Sequence, residues 1–340
     1  MKCYISKNYR KIGGGGDKAK TDVEAILQSM GYRNIGLRQR RVGSAVGAYF
    51  ITLASVLKGV MSLKKGDILL VQYPLKKYYD FVVSRAKARG AKVITLIHDL
   101  GSFRRKKLTV EWEVERLNRS TAIVIHTPAM RRWLVDNGVT VPIIEAGLWD
   151  YLSDSVPAVQ NLASGGRYRL MFAGNASPVH NDWIYQLGEA APSLDLVIYG
   201  GGIDKSRLTP GIHAMGYVDS DTLIATAQGD FGVVWYGSSL DEGAGALGEY
   251  LKYNAPHKTS LYLRTGLPVI IWDQAALAGI VKEYNAGICV SSLRDLPEIL
   301  SRLTPGDYAV MKANAMSLAS KLAKGSFIAD AVSRAEKAVD

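Results

Sequence analysis

Tyr253-Asn254-Ala255-Pro256-His257-Lys258-Thr259-Ser260-Leu261-Tyr262-Leu263-Arg264-Thr265-Gly266-Leu267-Pro268-Val269-Ile270-Ile271 reads as a helix closed by a glycine and followed by a buried strand. Pro256 suits the first turn of a helix, where its missing N–H costs nothing. His257, Lys258, Thr259 and Ser260 then fill the opening turn. Backbone N–H groups there have no intrahelical partner, and together with the helix dipole they attract anions. A lysine in that turn opposes the dipole. Beside two hydroxyls it predicts a diphosphate that supplies the missing negative charge; the alternative is an ordinary helix with an incidental lysine. Gly266 ends the helix at C′ and Pro268 opens an apolar strand.

The same alternation extends outward in both directions. Strand-length apolar runs occupy Lys2–Ser6, Asp67–Gln72, Lys92–Ile97, Thr121–His126 and Val141–Glu145. They recur at Tyr168–Ala173, Leu194–Tyr199, Ile212–Tyr217, Phe231–Trp235, Pro268–Ile271 and Gly287–Val290. Segments with helical periodicity separate them, including Lys18–Met30, Tyr78–Arg89, Trp183–Ala191, Thr222–Thr226 and Lys258–Thr265. Strands alternating with helices predict parallel sheets covered on both faces, an α/β chain. The polar run Asp150–Arg167 reads as a linker. Two Rossmann-like, doubly wound domains are therefore expected, residues 1–155 and 156–321, facing across a cleft that is the default binding site. The Ala-, Lys- and Ser-rich run Asp307–Asp340 reads as helix, with its end, about 322–340, expected to pack back on the first domain.

The 340 residues are 48% hydrophobic and 21% charged, which is globular composition. Cys3 and Cys289 form neither a disulfide framework nor a zinc spacing, and suit a reducing compartment. No apolar signal-peptide core is seen near Met1, so a cytoplasmic protein is expected. The longest uncharged run, Val42–Leu57, is short for a bilayer span. It reads as a buried or amphipathic helix, or as one that dips into a membrane surface.

Charge is uneven. Residues 1–160 carry a net +14 and residues 161–340 a net −3. The basic half includes Arg38, Arg40, Arg41, Lys64, Lys65, Lys76, Lys77 and Arg104, Arg105, Lys106, Lys107. Such asymmetry concerns partners: an anionic membrane or a pyrophosphate-bearing acceptor fits it, a solvated basic surface being the alternative. A nucleic-acid partner is not expected, because no recognition motif accompanies the charge.

Further candidates cluster at strand ends. Gly174 and Asn175 follow Tyr168–Ala173, where glycine admits close backbone approach and asparagine can reach a phosphate or sugar hydroxyl; a plain turn is the alternative. Tyr217, Trp235 and Tyr236 end strands where a base can stack, or they are core. Glu242 lies in a glycine-rich acidic loop suited to sugar hydroxyls, or to solvent. Gly13 to Gly16 follow the first strand without the lysine or third glycine of a nucleotide fingerprint. Gly14, Gly15 and Gly16 are read as a cleft loop able to meet a phosphate, or as a surface loop. His98 and Asp99 close the strand Val93–Ile97. Asp99 first, His98 second, would take a proton from an acceptor hydroxyl, with helix capping the equal alternative for Asp99. Asp219-Ser220-Asp221 has metal-pair spacing but reads as a cap.

The run N-x-P-H-K-x-S-x-Y-L-x-x-G-x-P-V-I resembles the donor-binding element of GT-B glycosyltransferases. It looks especially like the bacterial glucosyltransferases that extend glycans on serine-rich adhesins, and is similar to β-1,6-galactofuranosyltransferases. The order of elements agrees along nearly the whole chain: the glycine-rich loop, Ile97-His98-Asp99, Phe172-Ala173-Gly174-Asn175, then the Lys258 helix. The resemblance implies an acceptor-side first domain and a second domain that binds a nucleotide sugar, UDP-linked by analogy. Lys258 would pair with the donor phosphates, with Thr259, Ser260, His257 and Asn254 beside it. It also implies no cofactor, no metal, a hexosyl donor and a glycan or lipid-linked glycan acceptor, with homo-oligomerisation open. Two other functions remain in view: a nucleotide-sugar epimerase of the same shape, and a non-catalytic nucleotide-binding subunit.

Overall fold

A computed structural model describes residues 1–6, 15–40, 42–75, 78–105, 108–158 and 168–340. Gly13, Gly14, Arg41, Lys76, Lys77, Lys106, Lys107 and most of the linker's second half lie outside the described residues. The chain divides into two compact units, Met1–Asp150 with Gly325–Asp340, and Tyr151–Lys324.

In the first unit the strands are β1 (Lys2–Tyr4), β2 (Arg33–Asn34), β3 (Ile68–Tyr73), β4 (Lys92–Ile97), β5 (Ala122–Ile125) and β6 (Ile143–Glu145). They form one parallel sheet in the order β2-β1-β3-β4-β5-β6. The centre is apolar on both faces: Leu69, Val93, Ile94, Ile123 and Val124 are fully inaccessible. Each such side chain contributes roughly 1.5–3 kcal/mol by leaving water, which is why these runs are continuous rather than alternating. The two-residue β2 is held only by pairing with β1, at Cys3↔Arg33 and Tyr4↔Asn34, and carries no local strand pattern.

The second unit contains β7 (Arg169–Ala173), β8 (Asp195–Tyr199), β9 (Ile212–Gly216), β10 (Phe231–Val234), β11 (Val269–Trp272) and β12 (Gly287–Val290). Their order is β12-β11-β10-β7-β8-β9, all parallel. Order reverses between β7 and β10. The carboxyl end of the sheet at such a switch point is where ligands of doubly wound sheets bind, and here the segment after β10 is tied to the helices after β7, the Gly237 N–H donating to the His180 carbonyl at 3.1 Å.

The C-terminal run is two helices, Pro305–Ala323 and Ser326–Val339, parted at Gly325, whose φ is +74°. A side-chain carbon there would lie 2.5 Å from Ile26. The second helix belongs to the first unit and presents Ile328, Ala331, Val332, Ala335 and Val339 to it. It has no side-chain cap of its own. The buried carboxylate of Asp150 instead accepts the N–H groups of Phe327 and Ile328, at 3.2 and 2.7 Å.

Candidate donor site at the second sheet's switch point

The helix read from Pro256 onward spans His257–Arg264, with Pro256 as its N-cap rather than its first residue (φ −62°, ψ 126°). Proline offers no side-chain acceptor, so no side chain caps this entrance. The helix is anchored from below. The Tyr262 ring lies over β10, where a Cβ on Gly232 would come within 2.2 Å of it. The Tyr262 hydroxyl accepts the N–H of Ala173 at 2.9 Å. Arg264 donates to the carbonyls of Ser153 and Ser155 at 2.8 and 2.6 Å.

That anchoring carries Lys258 to the switch point. Its ammonium sits 4.0 Å from the centre of the Phe172 ring in β7 and 4.9 Å from that of Tyr236, just past β10. A Cβ on Gly174 would be 2.8 Å from the same nitrogen. Burial lowers the lysine from its ordinary 10.5 to about 7, and no acidic group among the described residues offsets it. Within four positions of it in the chain, Oδ1 of Asn254, Oγ1 of Thr259 and Oγ of Ser260 are buried without a hydrogen-bond partner. Thr259 and Ser260 are 0% and 1% exposed. Buried polar atoms are normally paired, so three orphans within four positions of a lysine without a counter-charge make this helix entrance the candidate site for an anion. His257 stacks on Tyr151, centroids 4.7 Å apart.

Neighbouring turns are shaped by close approach. Gly174 (φ +146°) and Gly200 (φ +147°) lie back to back; a Cβ on Gly200 would meet the Gly174 carbonyl at 1.9 Å. Asn175 is exposed, but its Oδ1 accepts the Ser177 N–H at 2.9 Å, which commits the side chain to the turn. Tyr236 is half-buried at the lysine. Trp235 turns the other way. It is 0% exposed, donates its indole N–H to the Ser239 carbonyl at 2.8 Å and packs on Trp272. It is a core residue with no face left for a base. Tyr217 is 77% exposed at the end of β9, two strands from β7, roughly 10 Å across the sheet. Glu242 is exposed in the loop after β10. Asp219 caps the helix Ser220–Thr226, accepting from the N–H groups of Asp221 and Thr222.

In the first unit, Gly15 and Gly16 are the opening residues of the helix Gly15–Ser29 rather than a loop. His98 and Asp99 follow β4 and are half-buried. Nε2 of His98 lies 2.7 Å from Oε1 of Gln72, which can only accept, so this nitrogen carries the proton. The His98 ring stacks on Trp149, 4.6 Å away. The helix after Asp99 is held by Glu113, whose carboxylate accepts the N–H groups of Gly101 and Ser102 and the hydroxyls of Ser102 and Tyr73. Phe172, Tyr262 and Glu113 escape sequence reading because each acts on partners that no local pattern brings near, from 11 positions away for Glu113 and Ser102 to 89 for Tyr262 and Ala173.

Comparisons with known proteins meet this geometry. Residues 2–148 match the model of the glucosyltransferase 3-like N-terminal domain, and residues 170–335 that of its C-terminal domain. Over 316 residues the chain is 28% identical to beta-1,6-galactofuranosyltransferase WbbI of Escherichia coli (strain K12), covering 93% of this chain and 92% of that one. It is 26% identical to glucosyltransferase 3 of Streptococcus gordonii over 319 residues, 91% of this chain and 90% of the other. The solved apo form of the lipopolysaccharide outer core galactosyltransferase WaaB superposes with a TM-score of 0.62 at 10% identity, over 100% of this chain and 99% of that chain, a likeness of fold.

Proposed function

Because the chain belongs to the glucosyltransferase 3-like family of GT-B glycosyltransferases, we propose that it moves a hexosyl unit from a nucleotide diphosphate sugar, with UDP the preferred nucleotide, to a hydroxyl of a glycan acceptor. The supporting observation is the entrance of the helix His257–Arg264: an unneutralised Lys258 and, within four positions of it in the chain, the orphaned oxygens of Asn254, Thr259 and Ser260. A diphosphate fills both needs. As the donor bond breaks, negative charge grows on the departing diphosphate. A cation and helix amides already in place stabilise that charge without reorganising, and they stand where another enzyme would use a metal ion.

Lys258, Thr259, Ser260, Asn254 and His257 hold the diphosphate, and Gly174 leaves room for the lysine to reach it. The exposed ring of Tyr217 is the platform for the base, since a nucleoside spans about the two-strand distance that separates it from β7. Glu242 takes sugar hydroxyls. In the first unit Asp99, or second to it His98, receives the acceptor proton if the transfer inverts configuration. Galactofuranose and glucose are the sugars that the relatives' names put forward. We place the enzyme on the cytoplasmic side of the membrane, where a lipid-linked acceptor is within reach.

A nucleotide panel read by thermal unfolding tests the donor reading, because selective binding raises the melting temperature. UDP should stabilise the protein more than ADP, GDP or CDP, and Lys258→Ala should abolish both that shift and transfer. Unaltered turnover in Lys258→Ala would remove the lysine from the mechanism. Interconversion of the donor sugar without an acceptor would point to an epimerase instead.

A further inference from the structure

The helix Ala45–Ser62 is long and apolar enough to cross a membrane, yet only 22% of it is buried, and its two faces differ. One face carries Ser55, Val56, Gly59 and Val60 into the first unit. Val56 and Val60 join the hydrophobic core. A Cβ on Gly59 would lie 2.8 Å from Ile5. The Ser55 hydroxyl donates to the Ser6 carbonyl and accepts the Leu37 N–H. Leaving those contacts would open the core, so this helix lies along a surface and does not traverse a bilayer.

The other face carries Val46, Phe50, Leu57 and Met61, which are 68%, 60%, 41% and 66% exposed. Spacings of four, seven and four place them in one stripe of a 3.6-residue helix. Tyr49, 39% exposed, adds its ring edge-on to Phe50. Large exposed apolar stripes on a folded chain mark interaction sites. The charge along the stretch of chain that holds this helix has a single sign. No Asp or Glu occurs between Glu24 and Asp67, while Arg33, Arg38, Arg40, Arg41, Lys58, Lys64 and Lys65 all fall in that span. Arg33, Arg38 and Arg40 before the helix, and Lys64 and Lys65 after it, are exposed.

We infer that this stripe docks on an anionic lipid surface, with the helix in the headgroup plane, Phe50, Leu57 and Met61 at the acyl boundary and the flanking Arg and Lys among the headgroups. Apolar area and basic flanks together are what such binding requires. A second copy of the chain is the poorer occupant, since it would bring two uniformly basic segments together. The inference stands on the first unit alone and does not depend on the donor reading.

Flotation of the full chain with vesicles tests it. The protein should bind vesicles of phosphatidylcholine mixed with phosphatidylglycerol, bind phosphatidylcholine alone far less, and detach as salt is added. Phe50→Glu combined with Met61→Glu should lower the partition coefficient by more than about tenfold. Its circular dichroism, its melting temperature and the shift given by UDP should be retained. Lys64→Glu with Lys65→Glu should erase the preference for the anionic vesicles. Absent binding, or equal binding to both vesicles, overturns the inference. So does a wild-type dimer in solution that Phe50→Glu with Met61→Glu converts to monomer, since the stripe would then cover a second copy. Vesicle binding without any UDP shift would sink the donor reading and leave this one standing.

Discussion

Gly174 and Lys258 occupy adjoining space: a side-chain carbon on the glycine would stand 2.8 Å from the lysine nitrogen. The glycine also holds φ at +146°, a conformation that other residues rarely adopt. Gly174→Ala should therefore cost about 1–3 kcal/mol of stability through backbone strain. It should also push the ammonium away from the diphosphate. UDP affinity by titration calorimetry should fall at least about tenfold, the loss expected when a charge-assisted contact is displaced. An affinity equal to wild type would show that the lysine does not approach the phosphates from this side.

If Lys258 holds the donor diphosphate as proposed, nucleotide binding should depend on pH. Its proton is lost near pH 7 in the empty folded protein but near the ordinary 10.5 when unfolded. Between those values the unfolded chain binds more protons, so stability rises with pH across the window. Lys258→Met removes this rise, and urea midpoints of the two proteins should diverge in that direction above pH 7. A bound diphosphate favours the charged lysine, so binding above pH 7 takes up a proton. Calorimetry in two buffers of different ionisation enthalpy should detect that uptake in wild type and not in Lys258→Met.

Tyr262 and Ala173 form a buried hydrogen bond of 2.9 Å between the helix and the end of β7. Tyr262→Phe keeps the ring over Gly232 and leaves the Ala173 N–H without its acceptor. The expected cost is about 1–3 kcal/mol, read as a lower urea midpoint. An unchanged midpoint would mean that another acceptor takes over this N–H.

Asp150 gives the opposite pH response. Burial raises its carboxyl from 3.8 to about 7, against the bonds from Ile328 and Phe327 that favour the charge. The folded chain thus keeps a proton that the unfolded chain releases near 3.8. Stability from this group is present at low pH and is lost as pH rises toward 7. Asp150→Asn retains an acceptor and cannot ionise. Its urea midpoint should gain on wild type as pH is raised from about 4.5 to about 7.5. A constant difference between the two proteins would show that Asp150 is charged throughout.

Much of the architecture was legible from local pattern. Strand-length runs, helical periodicity and the proline and glycine around the Lys258 helix lie within a dozen residues of each other, and local sterics settle them. Asp219 was legible as a cap for the same reason: its oxygens meet the N–H groups two and three residues on. Trp235 was not legible. An aromatic at a strand end can face a ligand or the core, and the packing of Trp272 against it decides for the core. The two-residue β2 exists through register with β1 alone. Gly15 and Gly16 join a helix that their own propensity disfavours.

By itself, the sequence determined an alternating α/β chain and a basic first half, and it marked Lys258 as a cation at a helix entrance. Each of those follows from neighbours along the backbone or from summed charge. The tertiary structure alone decided that the lysine lies against the rings of Phe172 and Tyr236, that Gly174 yields it space, and that three oxygens within four positions of it in the chain lack partners. Contacts between residues 22 to 86 positions apart are set by strand order and packing, and no local pattern encodes them.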